Sequence, residues 1–412
     1  MHAQRAVVSS GRTILFQTIV HIGSEKQAIN EGVEHVHSPA VCAGSRRISM
    51  SATETAPVTR ATSPQRALGE AVKWYRCPVS KDDLAKLNQR SDVLGMLQTL
   101  GYLGLLAATG TAAFMVWLRF PWYAAIPLCF LHAACWHFLI NGFHELIHDS
   151  VFKTRALNRY FLWVFSFLGQ YNHMHFWASH TEHHKFTLHQ PDDLEVTLPQ
   201  GHSWKNFFKG GFINFKGPWW SLKHHFRLAS GKLEGAWEHH LFDDNPRAHR
   251  NMVLWERFLI VGHAAIVGVS CYYKLWIIPF LVTLAPFYAG GLHSLCNSAQ
   301  HIGLCDNAPD FRLCCRTIYL NPVLQFLYWH MNYHTEHHMF AAVPCYNLPK
   351  LHRLIKNDMP PCPNGLYETW KGIDAIIAKQ KVDPTYQFVA ELPKKAAVPA
   401  AAVSVKAEAV AA

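Results

Sequence analysis

Long apolar runs alternate with polar segments along this chain, and the alternation predicts most of its architecture. Val93 to Leu118 carries no charged residue over 26 positions, and Trp122 to Ile140 follows after only Arg119, Phe120 and Pro121. A second pair runs from Arg257 to Tyr273, with His263 as a polar interruption, and from Leu275 to Cys296. Crossing the hydrocarbon core of a bilayer takes about 20 helical residues, and each run has about that length. The pattern predicts an all-α integral membrane protein with four transmembrane helices at about 93–118, 122–140, 257–273 and 275–296. They form two hairpins that return the chain to its starting face, where a His-rich helical cap gathers. Leu157 to Gln170 is shorter and contains Arg159, so it reads as an interfacial helix.

The segments outside this region differ in composition. Residues 1–66 hold seven Arg or Lys, four Glu and fourteen Ser or Thr with no sustained periodicity, which suits an organellar transit peptide or a disordered tail. A pre-membrane segment (67–92), the membrane domain (93–360), a C-terminal extension (361–393) and a low-complexity Ala/Val/Lys tail (394–412) complete the chain. A chloroplast membrane is therefore the expected location, with the endoplasmic reticulum as the alternative. From Ser203 to Lys232 there are six Lys or Arg and no acid, interleaved with Trp204, Phe207, Phe208, Phe212, Phe215, Trp219, Trp220 and Phe226. Next to membrane spans this mixture fits a lipid headgroup layer, and no nucleic-acid partner is expected.

Whole-chain composition sharpens the picture at one point. Half of the 412 residues are hydrophobic and only 16% are charged, against about 25% in a soluble domain, which excludes a disordered chain. The formal net charge of +10 fits an anionic membrane surface or an acidic protein partner. Eleven cysteines include no CxxC pair, and several sit in apolar runs, so they read as free thiols. The unusual figure is 28 histidines, equal to the number of Asp plus Glu. Metal ligation or an unusual proton chemistry would account for it.

The histidines fall into an ordered series. His144-Glu-Leu-Ile-His148 places two imidazoles one helical turn apart, but in a chain this rich in histidine HxxxH arises about twice by chance. His180-Thr-Glu-His183-His184 and His334-Thr-Glu-His337-His338 weigh more, because a single HxxHH has a chance expectation of about 0.1. The spacing i, i+3, i+4 predicts three imidazoles on one helical stripe. Such a patch is poorly explained by core packing and well explained by a metal. Asn297-Ser-Ala-Gln-His301 adds an amide and an imidazole at the end of the last apolar run. Nine histidines are too many for one ion and enough for two, and imidazole suits iron, zinc or copper better than Mg or Ca.

The order HxxxH, HxxHH, NxxxH, HxxHH around two apolar hairpins resembles the membrane fatty acid desaturase superfamily, which includes acyl-lipid desaturases, related hydroxylases and carotenoid ketolases. The likeness covers about residues 93–360, including the Val343-Pro-Cys-Tyr-Asn-Leu-Pro-Lys-Leu-His352 stretch. It implies two iron ions held by His144, His148, His180, His183, His184, His301, His334, His337 and His338, with Asn297 near one iron through water. It also implies O2 as co-substrate, a lipid acyl substrate, and a double bond introduced into that chain. The alternative within the superfamily is a hydroxylase or ketolase acting on a carotenoid, sterol or alkyl chain. The first box has three intervening residues, where animal acyl-CoA desaturases have four, and the third begins with His334, where front-end desaturases have Gln. No HPGG haem motif occurs, so electrons are expected from a separate donor, ferredoxin or cytochrome b5.

Glu145, Asp149, Glu182, Asp192, Asp193 and Glu336 are candidate acceptors that would orient ligand N–H groups. Because ligation needs neutral imidazole, metal affinity is expected to fall as the pH drops through about 6.5. Three rival readings explain less. His144-Glu145-Leu-Ile-His148 fits the HExxH of a zinc protease, but leaves both HxxHH boxes unused. Glu145 and His148 form an ExxH of carboxylate-bridged di-iron bundles, without the matching Glu-rich helices. A metal transporter would place its polar ligands within the spans, where these boxes are not.

Overall fold

The computed structural model describes residues 69–393, so the expected transit segment (1–66) and the tail (394–412) lie outside the described residues. Between them the chain is helical: α1 (Lys81–Leu87), α2 (Asp92–Arg119), α3 (Ile126–Trp136), α4 (Leu139–Ile147), α5 (Arg155–Gly169), α6 (His173–Phe186), α7 (Trp204–Gly211), α8 (Gly217–Ala229) and α9 (Gly235–Phe242). The second half adds α10 (Pro246–Tyr272), α11 (Ile277–Leu281), α12 (Gly291–Ser298), α13 (Phe311–Cys314), α14 (Pro322–Leu327), α15 (His334–Met339), α16 (Leu348–Ile355) and α17 (Gly365–Val382). Among the described residues, β pairing is limited to isolated bridges.

Three helical segments are long and apolar enough to cross a membrane: Asp92–Arg119, Trp122–Ile147 and Pro246–Tyr272. Local chemistry sets their ends. Ser91 caps α2 through its hydroxyl, and the extended Phe120 before Pro121 stops it. Asn245 caps α10 by accepting from the Ala248 amide, with Pro246 in the first turn, so this helix begins eleven residues before the expected start at 257. Large apolar side chains stand exposed along these helices, Val93, Leu97 and Leu100 on α2 and Val261 and Val269 on α10. Such faces suit lipid rather than water.

The expected fourth span at 275–296 is not a single helix. Pro279, Pro286, Gly290 and Gly291 divide it into α11, a 3-10 turn at Ala285–Phe287 and α12. The backbone released at these breaks is paired elsewhere: Phe287 O accepts from Asn214 N at 2.8 Å, and Ala289 N donates to Phe212 O at 2.8 Å. Irregular backbone at membrane depth is tolerated when protein groups satisfy it in this way.

The main core joins α2, α4 and α5 to the segment before α15. Tyr102, Phe138, Phe143, Phe165, Tyr328 and Trp329 are essentially inaccessible within it. Tyr102 donates its hydroxyl to Cys135 O at 2.6 Å, satisfying a buried polar group inside the apolar layer. A second core under α16 contains Cys77, Leu188, Phe311, Met339, Leu348 and Leu351, and it backs the third histidine box. Helices α7 and α8 and the turn between them leave Phe208, Phe212, Phe215, Trp219 and Phe226 exposed among lysines.

Candidate metal centre

Each histidine box is held by a different local device. His144 lies in the last turn of α4 and His148 is its C-cap. Gly142, six residues before the cap, meets Phe165 and Trp329 so closely that an added Cβ would fall 2.3 Å from Phe165 Cε1. Asn172 fixes α6 by capping it, accepting from His175 N at 3.2 Å, while its Nδ2 donates to Met252 O (2.9 Å) and Glu256 on α10. The six residues of α15 are all buried. Trp329 and His330, just before it, both have left-handed backbone, at φ 50° and 56°. For bulky residues that conformation is strained, and the complete burial of the Trp329 indole against Tyr102 and Phe165 holds it in place.

The boxes converge on two adjacent groups. In the first, ligating atoms of His144, His148, His180, His184 and His337 all lie within 4.8 Å of one another; in the second, those of His301, Cys315, His334 and His338 do. His183 sits beside the second group, its ring 4.9 Å from that of His338 and 5.4 Å from that of His301. Each HxxHH helix therefore serves both groups rather than one stripe. The i and i+4 residues go to one side, His180 and His184 from α6 and His334 and His338 from α15. The i+3 residue, His183 or His337, turns toward the other. Helical geometry explains the split, since neighbouring residues point about 100° apart around the axis whereas i and i+4 nearly coincide.

The donor set fits metal ions. Nε2 atoms approach at 2.6 Å (His144 to His180), 3.0 Å (His180 to His184) and 3.3 Å (His184 to His337) in the first group. In the second the distances are 3.0 Å (His301 to His334) and 3.1 Å (His334 to His338). Imidazole nitrogens bound about 2.1 Å from one ion at right angles lie roughly 3.0 Å apart. Burial keeps His180, His184, His334, His337 and His338 well below the usual imidazole pKa, with neighbouring histidines adding to the effect. It lowers His148 to about 4 and His301 to about 3. Their lone pairs are thus free for a metal at neutral pH.

Outer nitrogens find acceptors that orient the rings. His183 Nδ1 lies 2.8 Å from Asp193 Oδ2; burial depresses the histidine, but the carboxylate outweighs it and leaves the pKa raised. His180 Nδ1 lies 2.9 Å from Glu195 Oε1, and His301 Nδ1 2.8 Å from Cys314 O. Glu145 Oε1 lies near His144 Nδ1 (3.6 Å) and His337 Nδ1 (3.4 Å) but hydrogen-bonds neither. Arg316 clamps the turn carrying His301 by donating to the carbonyls of Ala299 and Ile302.

The other acidic candidates stand elsewhere. Glu182 pairs with Lys185 at 2.8 Å, Asp149 lies 3.8 Å from Arg155, and Asp192 accepts from Gly69 N at 3.1 Å. Glu336 accepts from Thr317 at 2.5 Å and contacts His352, which brings α16 against the third box. Asn297 and His301 do not share a regular helix, because α12 ends at Ser298, yet both border one small cavity. Sequence reasoning missed Glu195, Cys315 and the Cys314 carbonyl. Glu195 follows Asp193 by two residues in an unpatterned loop, and nothing in its spacing marks it.

Two cavities differ in size and lining. One of about 60 Å³ lies between the histidine groups, bordered by His144, His180, His301 and His334. A larger one of about 440 Å³ lies among α2, α3 and α11, walled by Leu103, Leu106, Phe114, Leu168 and Leu281. Trp136 borders the larger cavity and Ile140, four residues on, the smaller.

Comparison with known proteins agrees with this arrangement. The chain is 26% identical over 270 residues to a protein of Oryza sativa subsp. japonica described as "Sphingolipid delta(4)-desaturase DES1-like", an alignment covering 63% of this chain and 72% of the relative. The family profile described as fatty acid desaturase matches residues 120–369, which include every histidine of both groups and all of α4 to α16. With a helical, membrane-associated fold and two convergent imidazole groups in the matched region, this chain belongs to the fatty acid desaturase family.

Proposed function

We propose that the protein is an O2-dependent desaturase that introduces a double bond into the fatty acyl chain of a membrane lipid. The observation that carries the reading is the pair of imidazole groups facing one small cavity. Iron at both groups would supply an oxidant strong enough to remove hydrogen from an unactivated methylene, which no side chain can do. His144, His148, His180, His184 and His337 would hold one ion, and His183, His301, His334 and His338 the other, with Asn297 reaching it through water. Each turnover takes O2, two electrons and two protons and yields an alkene and two waters. The electrons come from a separate donor protein, ferredoxin or cytochrome b5.

The chain's own groups supply geometry and dryness. Asp193 and Glu195 fix the rings of His183 and His180, and the larger apolar cavity would take part of an acyl chain. The four-crossing arrangement is supported by where the chain must go. α10 leads away from Asn172 near box two, α11 packs with Ala113 and Ala125 where α2 meets α3, and His301 is back at the centre. The broken run 275–296 would then be the fourth crossing, and the domain limits of 67–92, 93–360 and 361–393 are proposed from the sequence pattern. A chloroplast membrane and removal of residues 1–66 fit the composition of that leader.

Expression in a host of known lipid composition, followed by mass spectrometry of lipids and pigments, tests the reading. A lipid with two hydrogens fewer than its precursor is the expected product, from protein carrying two irons per chain. An unchanged acyl profile with a new oxygenated pigment would replace this reading with a ketolase or hydroxylase.

A further inference from the structure

Eight of the nine box histidines lie on α4, α6 or α15 or at a helix cap, whereas His301 lies in the turn after α12. A turn has no ladder of its own to fix a ring, so the hold on His301 must come from its neighbours. Arg316 and the Cys314 carbonyl supply part of it. The C-terminal extension, beyond the residues 120–369 that the family profile matches, supplies the rest. Trp370 on α17 is buried and donates its indole N–H to Leu295 O at 2.9 Å, covering one of the last four carbonyls of α12, which helical geometry leaves without partners. Ile376, six residues on, packs against Gly303, where left-handed backbone (φ 73°) excludes a side chain and an added Cβ would fall 2.4 Å from Ile376 Cγ2. Gln380 Nε2 donates to Tyr386 O at 3.0 Å, which turns the chain back after α17. Phe388 N then donates to Gly303 O at 2.8 Å, and Gln387 Oε1 accepts from Asp306 N at 3.3 Å. The extension thus grips the chain on both sides of His301, at Leu295 before it and at Gly303 after it.

We propose that Trp370, Ile376 and Phe388 are positioning residues: they brace the turn that carries His301, so that the C-terminal extension controls the hold on one of the two ions and not on the other. This rests on the reading of two iron ions and deepens it. The brace acts through backbone, setting where the turn stands and so where His301 Nε2 lies relative to His334 Nε2, 3.0 Å away. The first histidine group takes no ligand from this turn, so its ion is not expected to respond. One segment outside the matched region thereby acquires a selective role inside the centre.

The full chain is purified in detergent, loaded with ferrous iron and titrated with a chelator of known affinity, while Mössbauer spectra distinguish the two iron environments. Phe388→Pro deletes the amide that reaches Gly303, whereas Phe388→Ala keeps it. Trp370→Phe keeps an aromatic ring and loses the N–H. In Phe388→Pro and in Trp370→Phe, one iron is expected to bind about fivefold more weakly, the worth of a single net hydrogen bond, with the other iron unchanged. Phe388→Ala is expected to hold both irons as the unmodified chain does. A chain ending at Val382 is expected to lose the same single iron more completely, and one ending at Pro393 to keep both. Selective loosening of one iron is a result that a merely structural role would not produce, because general destabilisation loosens both. Equal weakening of the two irons therefore overturns the proposal, as does a Phe388→Pro protein that holds both as tightly as Phe388→Ala. If the unmodified chain binds fewer than two irons, the two-ion reading falls and takes the brace with it.

Discussion

Glu195 shows how much of the centre rests on residues that no motif announces. Its Oε1 faces His180 Nδ1 at 2.9 Å, and its Oε2 accepts from Ser179 at 2.7 Å, one residue before the box. Ser179 in turn accepts from the Trp237 indole at 3.2 Å, so α9 braces the same ring. Burial raises the Glu195 carboxyl to about 7, with His183 opposing the rise, so its charge depends closely on its neighbours. Glu195→Gln keeps an acceptor and removes the charge. It is expected to weaken metal binding by about tenfold to a hundredfold, measured by competition with a chelator of known affinity. Affinity equal to the unmodified protein's would detach Glu195 from the centre. The six histidines of the two HxxHH boxes were legible because that pattern repeated with identical intervening residues is improbable by chance, whereas His144, His148 and His301 were legible through the family resemblance. Glu195, the Cys314 carbonyl and Cys315 were not, because a loop residue acquires a role only when the fold brings it to a ring.

Among the elements, α4 has the least freedom. Gly142 lies two residues before His144, with Phe165 and Trp329 where a side chain would go. Gly142→Ala would force those rings or the helix aside, at about 1–3 kcal/mol. The expected outcome is a lower unfolding midpoint together with reduced iron content, since His144 moves with the helix; a variant unchanged in both would show that the rings yield freely. The spans at α2 and at Trp122–Ile147 were legible from hydropathy, as was the apolar character of α10. The run at 275–296 has the same hydropathy but carries two prolines and a Gly290-Gly291 pair, and counting apolar residues weighed length above these breakers. The pairing of its freed backbone with Phe212 and Asn214 is a tertiary event, and no local pattern encodes it.

At the scale of the whole molecule, the first histidine group draws on α4, α6 and α15, and the second on α6, the turn after α12, the α13 cap and α15. Metal bound there would tie together segments from residue 144 to residue 338, and any ion that binds the folded chain alone stabilises it by mass action. Stripping the ions with a chelator is expected to cost about 3 kcal/mol or more at ion concentrations a hundredfold above Kd. In detergent the unfolding midpoint should fall by on the order of 5–10 °C and recover when ferrous iron is returned. A midpoint indifferent to chelation would mean that the protein core, not the centre, holds these segments together.

The shared use of α6 and α15 has a mechanical consequence. His183 and His184, like His337 and His338, are sequence neighbours aimed at different groups. The gap between the two metal positions is therefore set by the screw of a helix rather than by loops. A small roll of α15 about its axis would swing His337 through one group as it swings His334 and His338 through the other. The two sites cannot be adjusted separately, and the centre moves as a single gear with two sets of teeth.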